Sequence, residues 1–122
     1  MRILIADDNE QIRMLVATAL RSLEHELVMA ADGEEALALA TADPPDLLLL
    51  DVQMPAMDGF EVLSRLRAQP ATKDLRVIML TADAQAVDKI HGAELGANGY
   101  VVKPFAPSAL RETVSRALDQ QP

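Results

Sequence analysis

Short continuous apolar runs alternate along this chain with longer stretches whose apolar residues recur every three or four positions. The runs cover residues 3–6, 47–50, 77–80 and 100–102, with a weaker one at 27–31. Continuous rather than alternating apolarity is expected of parallel strands covered on both faces. Between the first two, Ile12, Leu15, Val16, Ala19, Leu20 and Leu23 fall at i, i+3, i+4, i+7, i+8 and i+11, one unbroken helical face. Asp8 or Asn9 is placed to cap that helix, with Glu10 in its first turn. Residues 34–42 have high helix propensity and are stopped by Asp43-Pro44-Pro45. Phe60, Val62, Leu63 and Leu66 predict a third helix after Gly59. Val87, Ile90 and Ala93 predict a fourth, closed by Gly96 as a left-handed cap. Leu110, Val114, Ala117 and Leu118 predict a fifth, with Pro107 in the first turn, where a missing N–H costs nothing. Five β-α units in succession predict an α/β domain over residues 1–122, with a parallel sheet, right-handed crossovers and helices on both faces.

Composition narrows the chemistry. Half of the 122 residues are hydrophobic, enough for a real core despite a formal charge of −8. The charge argues against nonspecific nucleic-acid binding, which needs clustered Lys and Arg. The absence of Cys excludes disulfides, thiolate metal sites and cysteine nucleophiles. His25 and His91 are too few and too scattered for an imidazole metal site, and both are expected on the surface. No apolar run approaches the roughly 20 residues of a membrane helix, and Asp7-Asp8 interrupts the N-terminal run long before a signal peptide would end. A cytoplasmic location without membrane association is expected.

In an open α/β sheet, chemistry collects at the carboxyl ends of the strands. Asp7 and Asp8 follow the first strand, Asp51 the third, Thr81-Ala82 the fourth, and Lys103-Pro104 the fifth. Three carboxylates, a hydroxyl and an ammonium are thus predicted to share one edge. Carboxylates held together repel one another, and a hard divalent cation with oxygen ligands relieves the repulsion. Taken singly, each residue has a plainer reading: Asp as a helix cap, Thr81 as a cap, Lys103 as a loop lysine, Tyr100 as a half-buried strand residue, Phe105 as core. Met54, Met57 and Met79 need no role beyond packing.

Taken together and in order, Asp7-Asp8, Asp51 with Met54-Pro55 and Asp58-Gly59, Thr81-Ala82 and Lys103-Pro104-Phe105 closely resemble the receiver domain of bacterial two-component response regulators, chemotaxis regulators included. The resemblance runs from residue 3 to residue 118. It implies a flavodoxin-like three-layer sandwich, five strands in the order 2-1-3-4-5 with five helices. It implies Mg2+, with Mn2+ as a substitute, held by Asp8, Asp51 and the backbone carbonyl of Gln53, and by Asp7 through water. It further implies that Asp51 accepts a phosphoryl group, that Thr81 and Lys103 contact it, that Lys103-Pro104 is cis, and that Thr81 and Tyr100 form a switch. The readout would be the surface of the fourth helix, fifth strand and fifth helix, which is also a possible homodimer face. The implied partners are a histidine kinase or histidine phosphotransfer protein and a downstream effector.

Gln53 and Asp83 occupy positions that vary in the family and can reach an attacking water. Asn98-Gly99 stands where many DNA-binding members carry an acidic pair that contributes to a charged dimer interface. Three alternatives are weaker. A phosphorylation-independent interaction module would be expected to lack Asp51 or Lys103. A haloacid-dehalogenase-type phosphatase would have a second Asp at position 53. A flavodoxin would need a Ser/Thr/Gly-rich phosphate loop where Asp7 and Asp8 stand. The expected role is therefore a phosphoacceptor signalling domain rather than a turnover enzyme, limited to self-catalysed phosphoryl transfer and slow autodephosphorylation.

Overall fold

The apolar runs become strands because each can be covered from above and below. In the computed structural model, which describes residues 1–82 and 96–119, all five residues of β3 (Leu47–Asp51) and of β4 (Val77–Thr81) are buried. So are four of the five in β1 (Arg2–Ala6). The strands β2 (Glu26–Ala30) and β5 (Gly99–Val102) are more exposed, as edges must be. All pairings are parallel and the order is β2-β1-β3-β4-β5, the flavodoxin-like order that the family resemblance implied.

Two cores follow from the period-2 alternation of strand side chains. Leu4, Leu48, Leu50, Val77 and Met79 face one way, beneath α2 (Gly33–Ala42) and α3 (Gly59–Arg67). Ile3, Ile5, Leu47, Leu49, Ile78, Leu80 and Val101 face the other, beneath α1 (Glu10–Leu20) and the C-terminal helix α4 (Pro107–Asp119), the fifth of the predicted helices. The fourth predicted helix, with Val87, Ile90 and Ala93, lies outside the described residues, as do Asp83 and His91. Gly96, expected to close it, does have a positive φ of 73°.

Helix starts are set by side-chain caps. Asn9 Oδ1 accepts from Gln11 N–H at 2.8 Å and Ile12 N–H at 3.2 Å, which decides between the two expected caps. Asp32 accepts from Glu35 N–H at 2.8 Å, while the Glu35 carboxylate accepts from Ala31 N–H at 3.0 Å. Asp58 accepts from Glu61 N–H at 2.9 Å.

The first helix departs from its predicted face. It ends at Leu20 and passes into one 3-10 turn, Arg21–Leu23, closed by Glu24 at φ 58°. Its buried residues are Val16, Ala17, Ala19 and Leu20, and Leu15 is 56% exposed. One residue is a rotation of about 100°, so Leu15 lies off the stripe while the small Ala17 fills the flank against the sheet. His25 is half-buried, its Nδ1 3.3 Å from the amino group of Met1.

The loop from β3 into α3 presses back on the strand it leaves. Gly59 N–H donates to Val52 O at 2.8 Å, and a Cβ on Gly59 would lie 2.3 Å from Asp51 O. We expect Gly59→Ala to destabilise the protein by about 1–3 kcal/mol through overpacking against backbone. Urea unfolding would show it as a lower midpoint with an unchanged slope.

Candidate functional site

Strand alternation also aims the polar groups. Two residues beyond Ile5 comes Asp7, two beyond Leu49 comes Asp51, and two beyond Val101 comes Lys103. Ile5, Leu49 and Val101 all face the α1/α4 side, so Asp51, the last residue of β3, and Asp7 and Lys103, each just past the end of its strand, continue that face. The contacts agree. Lys103 Nζ donates to Asp7 Oδ2 at 2.8 Å and to Asp51 Oδ1 at 3.1 Å. Asp7 is fully buried and Asp51 3% exposed, whereas Asp8 is exposed beside them. One carboxylate oxygen from each of Asp7, Asp8 and Asp51 lies within 4.8 Å of the others.

Backbone and side-chain donors fix this cluster. Asn9 N–H donates to Asp7 Oδ1 at 2.9 Å, so the residue that caps α1 also orients the first acid. Arg13 Nη1 donates to the carbonyl of Asp7 at 2.6 Å and ties the first turns of α1 to the same corner. Gln53 N–H makes a long contact of 3.4 Å to Asp51 Oδ1. Lys103-Pro104 is cis, as expected.

Burial pushes the Asp51 carboxyl up from 3.8 to about 6, reinforced by the charge of Asp7 and only partly offset by Lys103 and the Gln53 N–H. Burial pulls the Lys103 ammonium down, but its hydrogen bonds to Asp7 and Asp51 and their charges outweigh this, leaving its pKa raised.

Thr81 and Tyr100 belong to the other face. Thr81 is fully buried, and Tyr100 is half-buried against the α2/α3 core. Tyr100 pairs with Met79, and Thr81 pairs with Val102 across the same two strands. Thr81 is joined to the acidic corner through the backbone, its carbonyl accepting from Lys103 N–H at 2.7 Å. The side chain of Gln53 is exposed.

A match to the response regulator receiver domain family model covers residues 3–115. The chain belongs to that family. This receiver domain is 44% identical over 117 residues to the probable transcriptional regulator ycf27 of Cyanophora paradoxa, covering 96% of this chain and 48% of that protein. It is 41% identical over 117 residues to the alkaline phosphatase synthesis transcriptional regulatory protein PhoP of Bacillus subtilis, again covering 96% and 48%. It thus spans about half the length of the curated relatives it matches. Among solved structures, the chemotaxis response regulator CheY4 of Vibrio cholerae superposes with a TM-score of 0.87 at 39% identity, covering 95% of this chain and 97% of that one.

Several contacts of this receiver domain were not foreseen from sequence. Arg13 at the acidic corner is one. Arg67 is another: it donates to Gly96 O from Nη2 at 2.7 Å and Nε at 3.1 Å, and to Lys73 O at 3.1 Å, fastening the end of α3 to the turn that enters β5. Neither residue belongs to a motif; each is one of eight arginines spread along the chain.

The raised pKa of Asp51 has a definite sign. Its neutral form is favoured by folding, so the stability it contributes is present at low pH and is lost as pH rises from about 4 through about 6. In metal-free buffer, Asp51→Asn should therefore raise the melting temperature at pH 7.5, with the gain shrinking as pH is lowered toward 4. Thermal unfolding of both proteins across this range in EDTA checks it.

Proposed function

We propose that this receiver domain is a phosphoacceptor switch in which Asp51 takes a phosphoryl group from a phosphohistidine of a partner kinase or phosphotransfer protein. The supporting observation is the meeting of Asp7, Asp8 and Asp51 with Lys103, whose ammonium bridges two of the three acids. Carboxylates gathered this tightly, with one half-buried ammonium beside them, retain a surplus of negative charge that a small cation would offset.

The donor set fits Mg2+ or Mn2+. It is all hard oxygen, with no sulfur or imidazole, and one acid is open to solvent. Asp8, Asp51 and the Gln53 carbonyl would hold the ion, with Asp7 acting from the inner side. When bound, the ion supplies positive charge to the carboxylates and to the incoming phosphoryl oxygens.

The residues of the chain do the rest. Asp51 is ionised above its pKa of about 6, so at neutral pH one of its oxygens can attack phosphorus. The new P–O bond forms as the P–N bond breaks, and the bonding pair leaves with the donor imidazole, which takes up a proton. Lys103 neutralises charge on the transferred group, and the Thr81 hydroxyl donates to one of its oxygens. A displaced Thr81 would leave room toward Tyr100, one strand over on the same face, and so alter the surface around β5. Water later hydrolyses the acyl phosphate slowly, with the exposed side chain of Gln53 two residues from Asp51. The domain acts as a signalling element, not as a turnover enzyme.

The matched relatives named as transcriptional regulators are about twice the length of this chain, which supports a downstream effector as the recipient of the signal. Among the described residues, no helix is long and apolar enough to cross a membrane. A cytoplasmic place of action suits a partner of this kind.

Incubation with Mg2+ and acetyl phosphate should add one phosphoryl group, seen by intact mass. EDTA or Asp51→Asn should abolish it; a gain that survives Asp51→Asn would refute the assignment. Mg2+ alone should stabilise the fold, by about 2.7 kcal/mol at 100 times its Kd. Urea unfolding with and without the ion measures this.

A further inference from the structure

The loop that follows Asp51 contains a strained turn on a residue with no assigned role. Met57 N–H donates to Pro55 O at 2.7 Å, closing a turn of three residues, and the central Ala56 has a φ of 67°. Of the two forms of this tight turn, the one with positive φ at its centre is rare and strained. A residue carrying a Cβ is disfavoured there, and glycine is not. The chain nevertheless places alanine at the apex, although it uses glycine three residues later.

The surroundings explain how the strain persists. Both ends of the loop are pinned. Gly59 N–H returns to Val52 O at 2.8 Å, and Asp58 caps α3. Met57 packs on the α2/α3 core, and its carbonyl sits where a Cβ on Gly33 would come within 2.5 Å. Ala56 itself is exposed. Its methyl group therefore adds no packing to the core. What it does is restrict the backbone: an alanine has few conformations compatible with pinned ends, and a glycine has many.

We propose that Ala56 is a positioning residue that holds the 52–59 loop in one conformation, at some cost to fold stability, so that the backbone of Gln53 is kept ready beside Asp51. This rests on the phosphoacceptor reading above, which makes the Gln53 carbonyl a cation ligand. The sequence separation from Gln53 is short, and the loop between them contains Pro55, which is itself rigid. Strain at Ala56 is thus confined to a stiff segment joined to the site.

The test compares the parent protein with Ala56→Gly and Ala56→Asn. Glycine relieves the strain and frees the loop. It should raise the metal-free melting temperature by a few degrees, weaken Mg2+ binding by several-fold in calorimetric titration, and speed amide exchange at Met57 and Gly59. Asparagine tolerates positive φ while keeping a Cβ, so it should bind Mg2+ within about twofold of the parent. A residue with only a structural role would move stability and affinity in the same direction; the opposed signs are the diagnostic. An Ala56→Gly protein that binds Mg2+ as tightly as the parent, or that melts lower, would overturn the proposal while leaving the phosphoacceptor reading intact. A parent protein that binds no Mg2+ would overturn both.

Discussion

The structure depends on a buried electrostatic imbalance. Two carboxylates, Asp7 and Asp51, are nearly inaccessible to water, and one ammonium, Lys103, spans them. A third acid stands at their edge. Removing the ammonium from such a group is strongly destabilising, because the two acids are left buried without a counter-charge. The lysine therefore supports the fold as well as the site: without it the strand ends would carry uncompensated charge. Even with it, the pKa of Asp51 stays high because burial and Asp7 outweigh Lys103. The fold holds its polar corner in a state of unmet electrostatic demand, which a cation at the three acids would offset.

The rest of the molecule makes that state affordable. The central strands bury β1, β3 and β4 between two apolar layers, so the backbone that carries Asp7 and Asp51 cannot shift to separate them. Asn9 and Arg13 pin the first acid from α1, and Gly59 lets α3 approach the strand of the second closely enough to close the loop. Each of these is a geometric constraint placed by an element whose main role is packing.

The fold was legible because its signals are local and repeated. Runs such as 47–50 have one reading once they recur between helical stretches, and period 2 then decides which strand-end residues share a side. The residues of the site were legible for the same reason, since Asp7, Asp51 and Lys103 stand at strand ends. Their bonding pattern was not. That Lys103 reaches both Asp7 and Asp51 depends on the register of β5 against β4, which does not follow from composition. Leu15 shows the limit on helices. Periodicity located the helix but not its rotation against the sheet, which the small side chains of Ala17 and Ala19 decide by allowing close approach. Arg13, Arg67 and Ala56 lay beyond sequence reading altogether, because their roles are set by backbone conformation in loops that their own residue types do not specify.

The two faces of the sheet divide the work of the proposed switch. The acids and Lys103 continue the face beneath α1 and α4, whereas Thr81 and Tyr100 belong to the face beneath α2 and α3. The two faces meet at the carboxyl ends of β4 and β5, where the Lys103 N–H donates to the Thr81 carbonyl at 2.7 Å. Movement of the Thr81 side chain toward a phosphoryl group would thus act where the backbone joins the lysine to the second face. Tyr100 lies two residues before Val102, the partner of Thr81, and so is the nearest large side chain able to respond. The position of the single tyrosine fits that geometry: one residue on, at Val101, or one back, at Gly99, a side chain on β5 belongs to the layer of Ile78 and Leu80 instead.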